Sequence, residues 1–217
     1  MSPVEVLGMA ASLSLLAGWR LYACVLGAGI AMRLGLLPLP EHIQSLQVLT
    51  NPWVMGVAAV GFIAEFFVDK VAWLDSAWDT VHTLIRPLGG AALALAVVDS
   101  SDPAWQVAAF LLGGGATLLA HGAKAGTRGV INASPEPFSN VAMSSIEDVV
   151  TVGGLWLLFE KPEIGVALAI GLLLLVGLLL WKSVQMIRRL SRRVKDWFFA
   201  HDRWRAASVL GLRRHLA

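Results

Sequence analysis

An all-α, polytopic transmembrane helix bundle of about six spans is the fold class this sequence predicts, and three observations predict it. Residues 164–181 (IGVALAIGLLLLVGLLLW) and 103–120 (PAWQVAAFLLGGGATLLA) each run 18 positions without a charged side chain. A hydrocarbon core about 30 Å thick takes roughly 20 such residues in a helix. Soluble helices bury one apolar stripe and keep a polar face, which these two segments lack. The third observation is bulk composition. Of the 217 residues 57% are hydrophobic and mean hydropathy is +0.69, above the apolar share of an ordinary soluble domain.

The spans fall near 5–34, 52–69, 80–98, 103–126, 140–159 and 163–188. The first has no Lys or Arg ahead of its apolar run, so it reads as the start of a span and not as a cleaved signal. As one straight helix it would be about 45 Å long, so it must tilt, project or break. Gly18 beside Arg20 is the natural break. The single Cys24 lies inside this segment, excludes an internal disulfide and reads as a small buried hydrophobe. Pro38, Pro40, Pro52, Pro103, Pro135, Pro137 and Pro162 punctuate the spans. Trp53, Trp73, Trp105 and Trp181 stand near span ends, where amphipathic rings favour the headgroup layer.

Segment 103–131 is also long and carries Gly113-Gly114-Gly115, Gly122, Gly126 and Gly129. SLLAGWR at 14–20 and TLLAHGA at 117–123 share Leu-Leu-Ala after a Ser/Thr pair, and each segment is followed by a Pro pair. The pattern predicts two three-span repeats, about 5–98 and 103–188, each opening on an interrupted helix. Because three is odd, the second repeat would be inverted in the membrane. Residues 1–188 then form the transmembrane domain and 189–217 a basic cytoplasmic tail helix.

The net charge of +2 conceals a division: residues 1–181 hold seven Lys/Arg against thirteen Asp/Glu, and residues 182–217 hold ten against two. Lys70, Arg128 and the tail fall on one side of the predicted spans, so both termini are expected to be cytoplasmic. Ile187, Leu190, Val194 and Trp197 recur at near-helical spacing opposite Arg188, Arg189, Arg192 and Arg193. That is an amphipathic helix suited to anionic lipid. No motif supports nucleic-acid binding.

Charge inside the apolar body carries the functional reading, because ionised groups at membrane depth pair or line wet cavities. Glu65 and Asp69 are one helical repeat apart, and Asp75, Asp79, His82 and Arg86 follow on one face. These groups could bind a cation or relay protons; if a metal is held, Asp75, Asp79 and His82 are its candidates. Alternatively Asp79 and Arg86 simply pair on an interfacial helix. His121, Lys124 and Arg128 form a second polar stretch among small residues, fit to face an anionic group, to neutralise the first stretch or to anchor a cytoplasmic helix end. Glu147-Asp148 precedes an apolar run too short to cross alone, so the pair must enter the membrane or its edge; Arg20 is a plausible partner.

Both polar stretches carry a resemblance. EFFVDKVAWLDSAWDTVHTLIRPLGGAAL and HGAKAGTRGVINASPEPFSN, within roughly residues 8–160, resemble the bacterial membrane family catalogued as domain of unknown function 4126. Ala72 stands where that family often has a Pro after its Asp-Lys pair. The resemblance implies a small multi-span protein of a bacterial cytoplasmic (inner) membrane and supplies no substrate.

Together these features predict a small transporter or channel with an intramembrane polar site for an ion or small charged solute. The candidate site comprises Glu65, Asp69, Asp75, Asp79, His82, Arg86, His121, Lys124, Arg128, Glu147 and Asp148. Two alternatives stand beside it: a non-catalytic scaffold or assembly factor, and an Mg²⁺-dependent enzyme acting on a lipid-linked diphosphate through Asp75-x3-Asp79. No catalytic residue is assigned and no cofactor is required by the sequence. A homo-oligomer is left open.

Overall fold

The computed structural model describes residues 2–35, 44–133 and 137–209. Six α-helices succeed one another: α1 Pro3–Arg33, α2 Pro52–Val68, α3 Ala72–Val98, α4 Pro103–Asn132, α5 Pro137–Glu160 and α6 Gly165–Val209. Short 3₁₀ segments at Gln44–Thr50 and Pro162–Ile164 precede α2 and α6, and no strand occurs among the described residues. The Pro38/Pro40 break and Pro135 lie outside those residues.

Helix starts follow local chemistry. Ser2 and Glu5 close a capping box on α1, and the Asn51 and Asp102 side chains accept from the exposed amides of α2 and α4. Each of these helices then opens on Pro, whose missing N–H costs nothing in the first turn. α3 ends where Asp99 takes a left-handed conformation (φ 40°), and Ser45 donates to its carboxylate at 2.5 Å.

Five helices are long and apolar enough to cross a membrane; α2, with 17 residues, is shorter. The sequence placed the third span near 80–98, but α3 begins at Ala72. Its charged face turns inward while Trp73, Val81 and Leu84 face outward, so the charges do not mark the end of the apolar surface. Leu84, Leu112, Val149 and Leu174 are each at least 70% exposed, which makes the bundle apolar outside and polar within. The expected separate tail helix is instead the continuation of α6 to Val209. No Gly or Pro lies between Gly177 and Gly211 to interrupt it.

α1 breaks at Arg20, whose backbone leaves the helical region (φ −139°, ψ 73°). The two halves then run in opposite directions. Gly8 packs on Gly165 and Val166, Leu16 on Gly154, and Arg20 reaches Ser144 and Asp148. Beyond the break, Gly27 meets Leu155, and a groove joins Ala23, Ile30 and Ala31 to Val152 and Phe159. The first half therefore descends α5 and the second climbs back along it. On the opposite side Gly61 of α2 meets Tyr22, and Gly29 meets Leu49 just ahead of α2. α1 is thus a re-entrant hairpin with Arg20 at its tip, and both its ends lie at the end of the bundle where α3 stops and α6 starts.

The first half of α1 is the axis of the core, where Leu13, Leu15, Leu16 and Ala17 are buried. It seats directly on α4. Thr117 donates to the Ser14 carbonyl at 2.7 Å, Trp19 donates to the Ala120 carbonyl at 3.1 Å, and Gly18 lets the two backbones touch. Residues 14–20 and 117–123, the similar heptapeptides, therefore pack together and run in the same direction. Inversion would have opposed them. α4 also remains helical through Gly113-Gly114-Gly115, so only the first of the two expected interruptions is found. At the α3–α4 contact a Cβ on Gly90 would overlap the Thr117 side chain.

The hairpin makes a testable statement about topology. Cys24 is fully buried, so single cysteines introduced at Ser2 and at Ser191 in a Cys24→Ser background report cleanly. A membrane-impermeant maleimide should label them from opposite sides of the membrane. Labelling of both from one side would mean that α1 crosses.

Candidate functional site

The α1 tip lands in a cluster of ionised side chains drawn from five helices. Glu65 and Asp69 come from the last turn and cap of α2, and Asp75, Asp79 and Arg86 from one face of α3. Lys124 and Arg128 project from α4, Glu147 from α5 and Arg20 from the break in α1. Helical spacing explains the convergence, since residues three or four apart share a face. All nine side chains belong to residues at most 5% exposed. At the same helix levels Trp73, Val81, Phe138 and Val149 cover the outside.

Asp69 is the hub. Its carboxylate pairs with Arg20, receives Lys124 Nζ at 2.7 Å and lies 3.4 Å from Arg128 Nη2. Arg128 in turn grips Glu147 with two nitrogens, Nε at 3.1 Å and Nη2 at 2.8 Å, and its Nη1 donates to Asn140 Oδ1 at 2.6 Å. Such a two-point contact fixes orientation as well as charge. Arg20 also donates to the Ser144 carbonyl at 3.0 Å and meets Asp148 at 2.9 Å. A second node forms around Arg86, which pairs with Glu65 and with Asp79 at 3.0 Å. Lys124 stands between the nodes, 3.7 Å from Glu65 and 3.6 Å from Glu147.

His121 is neutral by hydrogen-bond logic. Arg86 Nη1 lies 2.6 Å from His121 Nδ1, and a guanidinium can only donate, so Nδ1 accepts and the proton sits on Nε2. Nε2–H then faces the Asp79 carbonyl and Thr83 hydroxyl, each at 3.1 Å. His82 Nδ1–H donates to the Trp78 carbonyl at 2.8 Å, and its Nε2 shares a hydrogen bond with the Tyr22 hydroxyl at 3.0 Å. Stacked on Trp78, His82 stands beside the network and outside it.

Compensation is uneven. Asp75 touches Asn132 Nδ2 at 2.8 Å, and its nearest cation is Arg128 at 3.9 Å. Among the described residues, Glu65 Oε2, Asp69 Oδ1, Asp75 Oδ1 and Asp79 Oδ2 are buried oxygens without a hydrogen-bond partner. No three His, Cys, Asp or Glu side chains among those residues stand close enough to share a metal ion, Asp75, Asp79 and His82 included. At the edge, Lys70 in the α2–α3 connection donates to the Phe66 carbonyl at 2.9 Å and lies over the Phe66 ring. Burial pulls its pKa below the ordinary lysine value; Asp148 opposes that shift.

Glu65, Asp69, Asp75, Asp79, Arg86, His121, Lys124, Arg128 and Glu147 all meet as one group. Asp148 lies at its edge on Arg20, and His82 stands apart. Arg20 becomes a full member, with Asn132, Asn140 and Ser144 as supporting groups. A lone Arg inside an apolar segment was the signal for Arg20. The neutral groups gave none, because Ser and Asn are ordinary at any helix end.

Removing one partner of a buried pair strands the other and costs about 3–5 kcal/mol. Arg86→Met should therefore leave Glu65 and Asp79 uncompensated and lower the thermal stability of the detergent-solubilised protein sharply. Adding Glu65→Gln should restore part of that loss, a non-additivity read directly by a double-mutant cycle. Additive losses would mean that the two side chains do not pair.

Neither the curated proteins nor the solved structures contain a match to this chain. A family model does match it, over residues 7–182, a stretch that contains every side chain of the network. It is a membrane-type helical protein, and it belongs to the family described as Domain of unknown function (DUF4126).

Proposed function

We propose that this protein is a small membrane transporter or channel whose ion or small charged solute is handled at the buried network. The observation that supports this reading most is the meeting of nine ionisable side chains at the tip of a broken, re-entrant helix beneath an apolar outer surface. Backbone that leaves the helix at membrane depth is tolerated where it is packed in protein or lines a cavity, and broken helices of this kind build midplane sites in transporters. Lys124, poised between two carboxylate nodes, is the natural group to change partners.

A scaffold role has its own supporting observation: each of the four cations is already paired and the network is closed to solvent. In that reading the ion pairs fasten the hairpin and nothing passes. The diphosphate-enzyme reading draws no support, because a second acidic motif beside Asp75-x3-Asp79 would fall to Glu147 and Asp148, and these are engaged by Arg128 and Arg20.

The basic stretch of α6 orients the chain. Arg188, Arg189, Arg192 and Arg193 are exposed at the end of the bundle that also holds Lys70, and this end is proposed to face the cytoplasm across the inner membrane. The N-terminus then lies on the other face, because α1 turns back, in contrast to the two cytoplasmic termini expected from charge alone. Between α4 and α6, Lys182 and Arg189 flank a groove of about 390 Å³ floored by Val130, Ile131 and Leu179. An anionic lipid, headgroup on the cations and chain in the groove, is the partner this surface fits.

Reconstitution into proteoliposomes separates the two roles. The Asp75→Asn variant, which removes a carboxylate with no cation closer than 3.9 Å, should keep its expression and detergent stability while losing ion flux by at least tenfold. Unchanged behaviour in every assay, with no flux in the parent protein, would favour the scaffold.

A further inference from the structure

The four buried cations Arg20, Arg86, Lys124 and Arg128 face five buried carboxylates: Glu65, Asp69, Asp75, Asp79 and Glu147. Including the rim groups Asp148 and Lys70 adds one charge of each sign, so one negative charge remains uncompensated by either count. His121 cannot supply the balance, because its Nδ1 must accept from Arg86, and His82 lies outside the ion-pair network, bonded to the Trp78 carbonyl and the Tyr22 hydroxyl. An uncompensated carboxylate in a dry interior is costly enough that it takes up a counter-charge.

Geometry identifies which carboxylate. Asp69 has three cations within 3.4 Å, and Glu147 has Arg128 at 2.8 Å. Asp79 has Arg86 at 3.0 Å, and Glu65 is paired with the same guanidinium. Asp75 has only Arg128, at 3.9 Å, and its Oδ1 is buried without a partner among the described residues. The groups around it come from every neighbouring element: Asp69 at the end of α2, Asp79 on α3, Arg128 and Asn132 on α4, and Glu147 of α5 across Arg128.

We infer that the network is a proton-binding site, with one exchangeable proton held on the Asp75 carboxyl. This deepens the transport reading, on which it rests for its physiological meaning, by naming the ion as H⁺. The step is a simple association: a proton from the aqueous phase bonds to an Asp75 oxygen, the carboxylate becomes a neutral carboxyl, and the network's charges cancel. Release restores one negative charge beside Arg128, which is then drawn between Asp75 and Glu147. A shift of that guanidinium would loosen its grip on Asn140 and Glu147, and so couple protonation to the seating of α5.

Infrared spectroscopy of the full chain in lipid nanodiscs tests this at neutral pH, where exposed carboxylates are ionised. The parent protein should show a protonated-carboxyl C=O band that shifts in D₂O and disappears as pH rises. Asp75→Asn should abolish it, Asp75→Glu should move it, and Glu65→Gln should leave it in place. The Glu variant keeps the test decisive should the Asn variant fold poorly. Absence of the band in the parent protein, its persistence in Asp75→Asn, or its dependence on Na⁺ or K⁺ at fixed pH would overturn the assignment. Proton flux measured on the same preparations separates the two claims. The band without flux upholds the proton site and removes transport; flux without the band upholds transport and removes the proton site.

Discussion

The rest of the structure depends on one carboxylate, Asp69, held at the junction of α2 and α3 and shared by Arg20, Lys124 and Arg128. Arg20 comes from the break in α1, while Lys124 and Arg128 stand one turn apart on α4, so a single acidic group fixes the depth of the α1 tip and the register of α4 against α2. In water this arrangement would be worth little, since exposed pairs are screened and mobile. Within a bundle whose outer surface is hydrocarbon, every charge must find its partner inside. The apolar outside therefore enforces the polar inside, and the fold and the site are one solution to the same constraint.

Much of this was legible in the chain. Uncharged runs marked α4 and α6, Pro residues marked where helices begin, and the strain of a Lys- or Arg-bearing apolar segment marked Arg20 as a break. The charged face of α3 was also legible as a face, because Asp75, Asp79, His82 and Arg86 keep helical spacing. The start of α3 at Ala72 was not, because hydropathy counts a charge as polar wherever it points. Only the fold reveals that these charges point inward.

The reversal of α1 was illegible for a different reason. A helix that breaks and continues and one that breaks and returns have the same composition and the same Gly18-Trp19-Arg20 signal. What separates them is which surfaces the second half meets, here Leu49, Gly61 and Leu155, and none of those contacts is local. The likeness of residues 14–20 to 117–123 was likewise real but meant something other than inverted symmetry. Both are small-residue seams, and they resemble each other because each must let the other's backbone approach.

The re-entrant hairpin also sets an order of events during synthesis. Arg20 leaves the ribosome before Asp69, Ser144, Glu147 and Asp148 have been made, so every group that will hold its guanidinium arrives later in the chain. The α1 tip therefore cannot be fully paired until the helices that follow it, α2 to α5, are in place to receive it. A chain in which that pairing has not formed holds at membrane depth an Arg whose charge is costly in lipid.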